Sequence, residues 1–524
     1  MRNLLATLVG LSIFTFGAFF LLIIIASAGS DEKLVKLKNN SVLHLKLNKP
    51  ILEREREDPF EGLPMFGSLQ ESGIGLIEFK EAIRHAAEDD NVEGILLETP
   101  ALMAGISSMM ELRDALEEFK ESGKFILSYS ELYTEGAYIL SSVADKVYLN
   151  PDFSIFEFNG LNMQRMYYKG LFEKLEIEPI TIKAGDYKEI AEPFDRKSMS
   201  PIARKRNHEL LANIHGNLLE KVAESRSLSL EKVKLISDSA LVNISIADDA
   251  VKYGLVDELV YRDELMDIIK DKLEVEEVDD INLVSYRKYR KSFDEYKSSK
   301  NRIAVIVASG NIITGKGDNN NIGSAKYAKE IRNAAEDDKI KGIVIRINSG
   351  GGSALASDII WREIKLASEK KPVIASMSDY AASGGYYLAM ACDTILAQPN
   401  TITGSIGVFS ILFNVKGFLN NKIGISTDNV KTGHFSDIYS MTKPLTEYEK
   451  QYLQKSTMKS YDSFLSKAAE GRSMEKDELE SLASGRVWSG DEALQNGLID
   501  FLMRGFIKII GSQVLQYCGK RFRI

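Results

Sequence analysis

The chain has 524 residues, of which 44% are hydrophobic and 27% charged. That is the make-up of a folded globular protein, and it excludes a disordered or low-complexity chain. The length exceeds what one compact core accommodates, so two or more domains are expected. A net charge of -9 argues against a general electrostatic footprint for nucleic acid. Two cysteines, Cys392 and Cys518, are too few for a disulfide framework or a four-cysteine zinc site. The five histidines show no metal-ligand spacing, so no metal or other cofactor is expected and a histidine-based mechanism is disfavoured.

In chain order, Leu4 to Ala28 form an almost uninterrupted apolar run, preceded by Arg2 and followed by Ser30-Asp31-Glu32-Lys33. A spanning helix needs about 20 such residues, whereas the apolar part of a cleaved leader has about 7–15. An uncleaved N-terminal anchor over residues 1–29 is therefore expected, with Ala26-Ser27-Ala28 leaving cleavage as the alternative. Orientation stays open on charge alone, because Arg2 lies on one side and Lys33, Lys36 and Lys38 on the other.

Beyond the anchor the chain repeats itself. Ile83-Arg84-x-Ala86-Ala87-Glu88-Asp89-Asp90 returns as Ile331-Arg332-x-Ala334-Ala335-Glu336-Asp337-Asp338, an offset of 248 positions. The same offset pairs Ala144-Asp145 and Pro151 with Cys392-Asp393 and Pro399, and Lys183-Ala184-Gly185 with Lys431-Thr432-Gly433. One offset held across several segments implies an internal duplication. Each half begins with a β-rich run (Val42–Leu47; Ile303–Ala308), followed by an amphipathic helix around Ile83 or Ile331. A short buried strand (Gly94–Leu97; Gly342–Ile347), a further helix and another strand (Phe125–Ser128; Val373–Met377) come next. Short apolar strands alternating with helices predict an α/β fold with parallel sheets. Between the halves, residues 285–302 read as a polar linker, and the tail from residue 503 is basic.

Two loops carry candidate chemistry. Asn348-Ser349-Gly350-Gly351-Gly352-Ser353 follows a predicted strand and opens a helix. Its amides suit a phosphate or the oxyanion of acyl transfer; without the lysine and spacing of a P-loop, phosphate is the weaker choice, and a plain glycine turn is the bland one. Ser383, in Asp379-Tyr380-Ala381-Ala382-Ser383-Gly384-Gly385-Tyr386, stands at a strand-to-helix turn, where it is either an exposed nucleophile or an ordinary cap.

Together with Thr403-Gly404-Ser405-Ile406-Gly407, these loops resemble the signal peptide peptidase A family in its long, duplicated form (protease IV). Asp186-Tyr187-Lys188-Glu189-Ile190, Met199-Ser200-Pro201 and Gly485-Arg486-Val487-Trp488-Ser489-Gly490 fit the same family, and the similarity runs from the anchor to about Asp500. The resemblance implies an α/β fold of two tandem Clp protease/crotonase-like repeats after an N-terminal transmembrane helix. The first repeat (30–284) would carry the lysine and the second (303–502) the serine. It implies a membrane-anchored serine endopeptidase with a Ser/Lys dyad: Ser383 as nucleophile, Lys188 as base, Ser405 orienting the lysine, and the Gly352 and Gly384 N–H groups as oxyanion donors. Cleaved signal peptides and other short apolar peptides as substrates, a homotetramer, and a single-pass place in a bacterial inner membrane with the body facing the periplasm are implied likewise.

At the 248 offset Ser383 corresponds to Glu135, and Lys188 to Ser436. Each half keeps one member of the dyad, which predicts one site assembled from both. Two departures from the family stand out: Gly350 occupies the place of a usual proline, and the tail after Asp500 diverges. A crotonase-like acyl-CoA enzyme and a catalytically silent membrane scaffold are the competing readings.

Overall fold

A computed structural model describes residues 2–28, 34–55, 73–100, 102–185, 188–242, 247–293 and 299–503. Two sheets dominate it, the first all parallel and the second parallel except for one short antiparallel pair. In the first, the strands run in the order Glu258–Leu259, Lys146–Leu149, Phe125–Ser130, Val92–Glu98, Ser41–Lys46 and Asn282–Ser285. The second repeats the scheme with Phe501–Leu502, Thr394–Ala397, Val373–Ala382, Ile340–Ser349 and Arg302–Ser309. These strands read as near-continuous apolar runs (Ile343-Val344-Ile345, Ile95-Leu96-Leu97) because helices cover both faces of a parallel sheet. The helices Leu76–Glu88 and Ser324–Glu336, predicted from the repeated Ile-Arg-x-Ala-Ala pattern, bury Ile83 and Ile331 at matching places in the two cores.

Three parts of the sequence reading need a closer look. Residues 285–302 are not simply a solvated linker. Ser285 ends a strand of the first sheet, and Tyr286–Arg290 form a helical turn whose Tyr286 and Tyr289 are buried in the first core. Tyrosines three apart share one helix face, and here that face meets Phe79, with ring centroids 5.3 Å apart at Tyr286. The apolar N-terminal run forms one 27-residue helix, Arg2–Ala28. Its described side chains cover only residues 3–17, and among the described residues no helix is long and apolar enough to cross a membrane. The basic tail from Arg504 onward lies outside the described residues.

Among the contacts that tie the repeats together, a strand ladder and a buried ionic cluster stand out. An antiparallel ladder pairs Glu178–Ala184 of the first repeat with Val408–Asn414 of the second over seven residues. Ile182 from this ladder packs with Leu445 and Leu453. The second contact is ionic and buried. Arg346 of the second repeat donates from Nε to Glu53 at 2.8 Å and from an Nη to Glu111 at 2.7 Å, and Lys80 reaches Glu111 at 2.8 Å. All four side chains are no more than 5% exposed. Such a cluster offsets its desolvation only when every charge is paired. Replacing Arg346 by Leu should therefore strand Glu53 and lower stability by about 3–5 kcal/mol, read as a shift of the urea unfolding midpoint.

Candidate active site

Ser383 joins the strand Val373–Ala382 to the helix Gly384–Ala389. Its backbone sits at φ 54° and ψ −117°, a combination that residues with a Cβ rarely adopt. Such strain costs about 1–3 kcal/mol and persists only where the surroundings impose it. Here Ser383 N–H donates to the Gly404 carbonyl at 2.9 Å, and the Ser383 carbonyl accepts from Tyr387 N–H at 2.9 Å. This sharp strand-to-helix turn, an elbow, leaves the Ser383 side chain half-buried.

Lys188 arrives from the other repeat. The strand Glu178–Ala184, fixed by its ladder to the second repeat, ends four residues before it, and a short turn, Glu189–Ala191, follows. The neighbouring Asp186 and Tyr187 lie outside the described residues. Lys188 is 3% exposed, and its Nζ lies 3.1 Å from Ser383 Oγ, 2.8 Å from the Ser405 carbonyl and 2.9 Å from Ser405 Oγ. It forms no ion pair among the described residues. Burial alone therefore acts on the amine, and it pushes the pKa down to about 7.

Ser405 is held in turn by a small β element. Ile402–Gly404 runs parallel to the serine strand and antiparallel to Val487–Trp488. Ser405 has φ 51° and donates its N–H to the Arg486 carbonyl at 2.6 Å. The next residue back, Gly485, has φ +87°, and a Cβ there would lie 2.7 Å from Lys188 N and 2.8 Å from its Cα. Only glycine lets the two chains pass so closely. The Gly-Arg-Val-Trp motif thus has a physical role that its letters alone do not disclose.

The glycine loop closes on the elbow from the other side. Gly351, at φ +106°, approaches so near that a Cβ would lie 2.6 Å from Gly384 N and 2.9 Å from Ser383 Cβ. The loop is fixed by Ile312 N–H donating to the Gly351 carbonyl at 3.0 Å and by Gly351 N–H donating to Ser349 Oγ at 3.1 Å. A Cβ at Gly350 would meet nothing within 4 Å, so that position does not share the close approach made by Gly351. The N–H groups of Gly352 and Gly384 donate to no acceptor among the described residues.

The structure thus brings Ser383, Lys188, Ser405 and the Gly352–Gly384 pair to one place, within one chain. Gly351, Gly485 and the Ser405 carbonyl are the participants that sequence reasoning missed; a run of three glycines and a recurring motif were the available signals. The duplicated positions do not form a second site. Glu135, opposite Ser383 in the repeat, accepts the N–H groups of Asn159 and Gly160 at 3.1 and 2.7 Å, and Ser436 is exposed. Among the described residues no cluster of metal-ligating side chains occurs.

A hydroxyl, a desolvated amine and spare amide donors so placed are equipped for acyl transfer by a serine enzyme. Known proteins with related sequences bear on that class. The sequence profile of peptidase family S49 matches residues 118–276 and 365–505, one stretch in each repeat. The chain is 37% identical to the chloroplastic serine protease SPPA of Arabidopsis thaliana, over 82% of this chain and 64% of that one. It is 34% identical to Protease 4 of Salmonella typhi over 84% of this chain and 72% of that one, and 33% identical to Protease 4 of Haemophilus influenzae over 80% and 69%. The chain belongs to peptidase family S49, and its class is that of the serine peptidases. A Listeria monocytogenes ClpP1 chain aligns at 17% identity with a TM-score of 0.26, covering 39% of this chain and 92% of that one, too low to bear on the fold.

The close approach at Gly485 can be tested directly. Gly485→Ala should displace Lys188 and slow acylation of Ser383 by a fluorescent serine-directed probe by about 10²-fold. Labelling at the wild-type rate would show that this contact does not hold the lysine.

Proposed function

We propose that the chain is a membrane-anchored serine endopeptidase with a Ser383/Lys188 dyad, acting on cleaved signal peptides and other short apolar peptides. The observation that carries the proposal is the 3.1 Å approach of Lys188 Nζ to Ser383 Oγ, with burial holding the amine pKa near 7. A neutral amine has two N–H bonds and one lone pair. The two acceptors supplied by Ser405, its carbonyl and its hydroxyl, take the N–H bonds, which leaves the lone pair for the Ser383 hydroxyl.

In this reading Ser383 Oγ attacks the peptide carbonyl carbon while its proton passes to Lys188 Nζ. The oxyanion so formed accepts the Gly352 and Gly384 N–H groups. The intermediate collapses by breaking the C–N bond, and the leaving amine takes the proton from Lys188. A water molecule then gives its proton to the same amine and attacks the acyl ester. Carboxylic acid is released and the Ser383 hydroxyl is restored.

The apolar run Leu4–Ala28 and the 27-residue helix it forms support the anchor, since such a helix is about 40 Å long at ~1.5 Å per residue. On the family resemblance alone, the reading places the chain in a bacterial inner membrane, with the catalytic body in the periplasm and a homotetramer as the assembly. Membership of a peptidase family displaces the acyl-CoA reading.

Full-length protein in detergent should hydrolyse an apolar peptide, and Ser383→Ala and Lys188→Ala should each abolish turnover while remaining folded. Probe labelling should saturate at one per chain. Below the lysine pKa the lone pair carries a proton, so kcat/KM should rise with pH through a midpoint of about 7 and level off above it. Full turnover in either variant, or a flat profile between pH 6 and 8, would rule out the dyad.

A further inference from the structure

We propose that the first repeat, besides lending its lysine, positions the oxyanion loop of the second: the side chains of Glu53 and Ser108 lock a bulge between the two strands that lead to Gly352 and Ser383. The proposal rests on the reading of Ser383 as the nucleophile.

The strands Ile340–Ser349 and Val373–Ala382 pair residue for residue from Ile343 with Val373 to Ile347 with Met377. The next pair is Ser349 with Ala381, so Asn348 alone faces Ser378, Asp379 and Tyr380. Two extra residues on one strand preserve the alternation of faces but carry its end forward by about 6–7 Å at ~3.3 Å per residue. The bulge therefore decides where Ser383 stands relative to Gly351. It also removes backbone groups from the ladder, which then need other partners.

Side chains supply those partners. Asn348 Oδ1 accepts the Tyr380 N–H at 3.2 Å, and Thr401 Oγ1 donates to the Ser378 carbonyl at 2.7 Å. Arg346 donates to Ser378 Oγ at 2.9 Å. The amide of Asn348 donates to Asp379 at 3.3 Å and, across the repeat boundary, to Glu53 Oε1 at 2.9 Å. The other oxygen of Glu53 holds Arg346. The Asp379 carboxylate also crosses the boundary, where it accepts the Ser108 N–H at 2.9 Å and the Ser108 hydroxyl at 2.6 Å. Ser108 lies in the first turn of the helix Ile106–Lys120, whose N-cap residue Gly105 offers no side-chain bond. A carboxylate from the second repeat thus caps a helix of the first, where the exposed N–H groups favour negative charge. Asn348 and Asp379, both parts of the motifs singled out in the sequence, are fastened to the first repeat, each four residues from the group it aims, Gly352 and Ser383 respectively.

The test uses the full-length protein in detergent. Ser108→Ala removes the hydroxyl bond but keeps the backbone bond, and Glu53→Gln keeps the shape but leaves one oxygen to serve both Arg346 and Asn348. Each should lower kcat about tenfold with KM within about twofold, and Ser108→Thr should restore kcat because the hydroxyl returns. Hydrogen–deuterium exchange in Ser108→Ala should accelerate in peptides covering residues 348–353 and 378–386, while the remaining sheet strands keep their protection. Unchanged exchange in those two peptides overturns the proposal whatever the activity, as does a general loss of protection that parallels the fall in kcat. Ser383→Ala is the control for the nucleophile: surviving turnover there would sink that assignment, while the exchange result would still decide the positioning role.

Discussion

An amine kept dry is the constraint on which this molecule depends. Among the described residues no carboxylate pairs with Lys188, so its lowered pKa follows from the exclusion of water rather than from a charged partner. That exclusion requires protein on every side. The lysine is delivered by the ladder between Glu178–Ala184 and Val408–Asn414, roofed by Gly485, and met by Ser405 and Ser383. None of these partners is near Lys188 in the chain. The same residue placed on a mobile surface loop would titrate like any other lysine.

Duplication accounts for how such a site arises. Two repeats with the same strand order give two elbows and two places from which a lysine strand could come. Only one combination is equipped. At the first elbow Glu135 stands where the serine would be, and its carboxylate is satisfied by two backbone N–H groups and by His215 at 3.2 Å. In the second repeat, residues 426–432, which correspond to the lysine strand, form no strand at all. The buried cluster of Arg346, Glu53, Glu111 and Lys80 joins the repeat that carries Ser383 to the repeat that carries Lys188. Charges sealed inside an interface tolerate little displacement, because moving one partner leaves the other unpaired in a medium that solvates it poorly.

Much of this was legible in the residues. The alternation of apolar runs and amphipathic segments disclosed the α/β layers, and a constant offset disclosed the duplication, since both are local or repetitive patterns. The elbow at Ser383 and the loop at Gly350–Gly352 were visible because small residues in a row have few other uses. Less visible were features that depend on chain segments meeting. Tyr286 and Tyr289 looked like part of a polar linker until the first core supplied a surface for them. The three-against-one bulge at Ser378–Tyr380 leaves no mark in composition, because nothing in either strand alone says how it registers against the other.

The sequence by itself determined the elements, the repeat, the family and the residue types available for chemistry, because periodicity, glycine freedom and motif spacing are properties of neighbouring residues. Tertiary structure alone decided that Ser383 and Lys188, 195 positions apart, share a hydrogen bond within one chain. It also decided which of the three loop glycines touches the elbow and why the lysine amine is short of its ordinary proton affinity. The reason is physical: a pKa and a strained turn are set by solvent exclusion and by contacts from distant segments, and neither exists until those segments have packed.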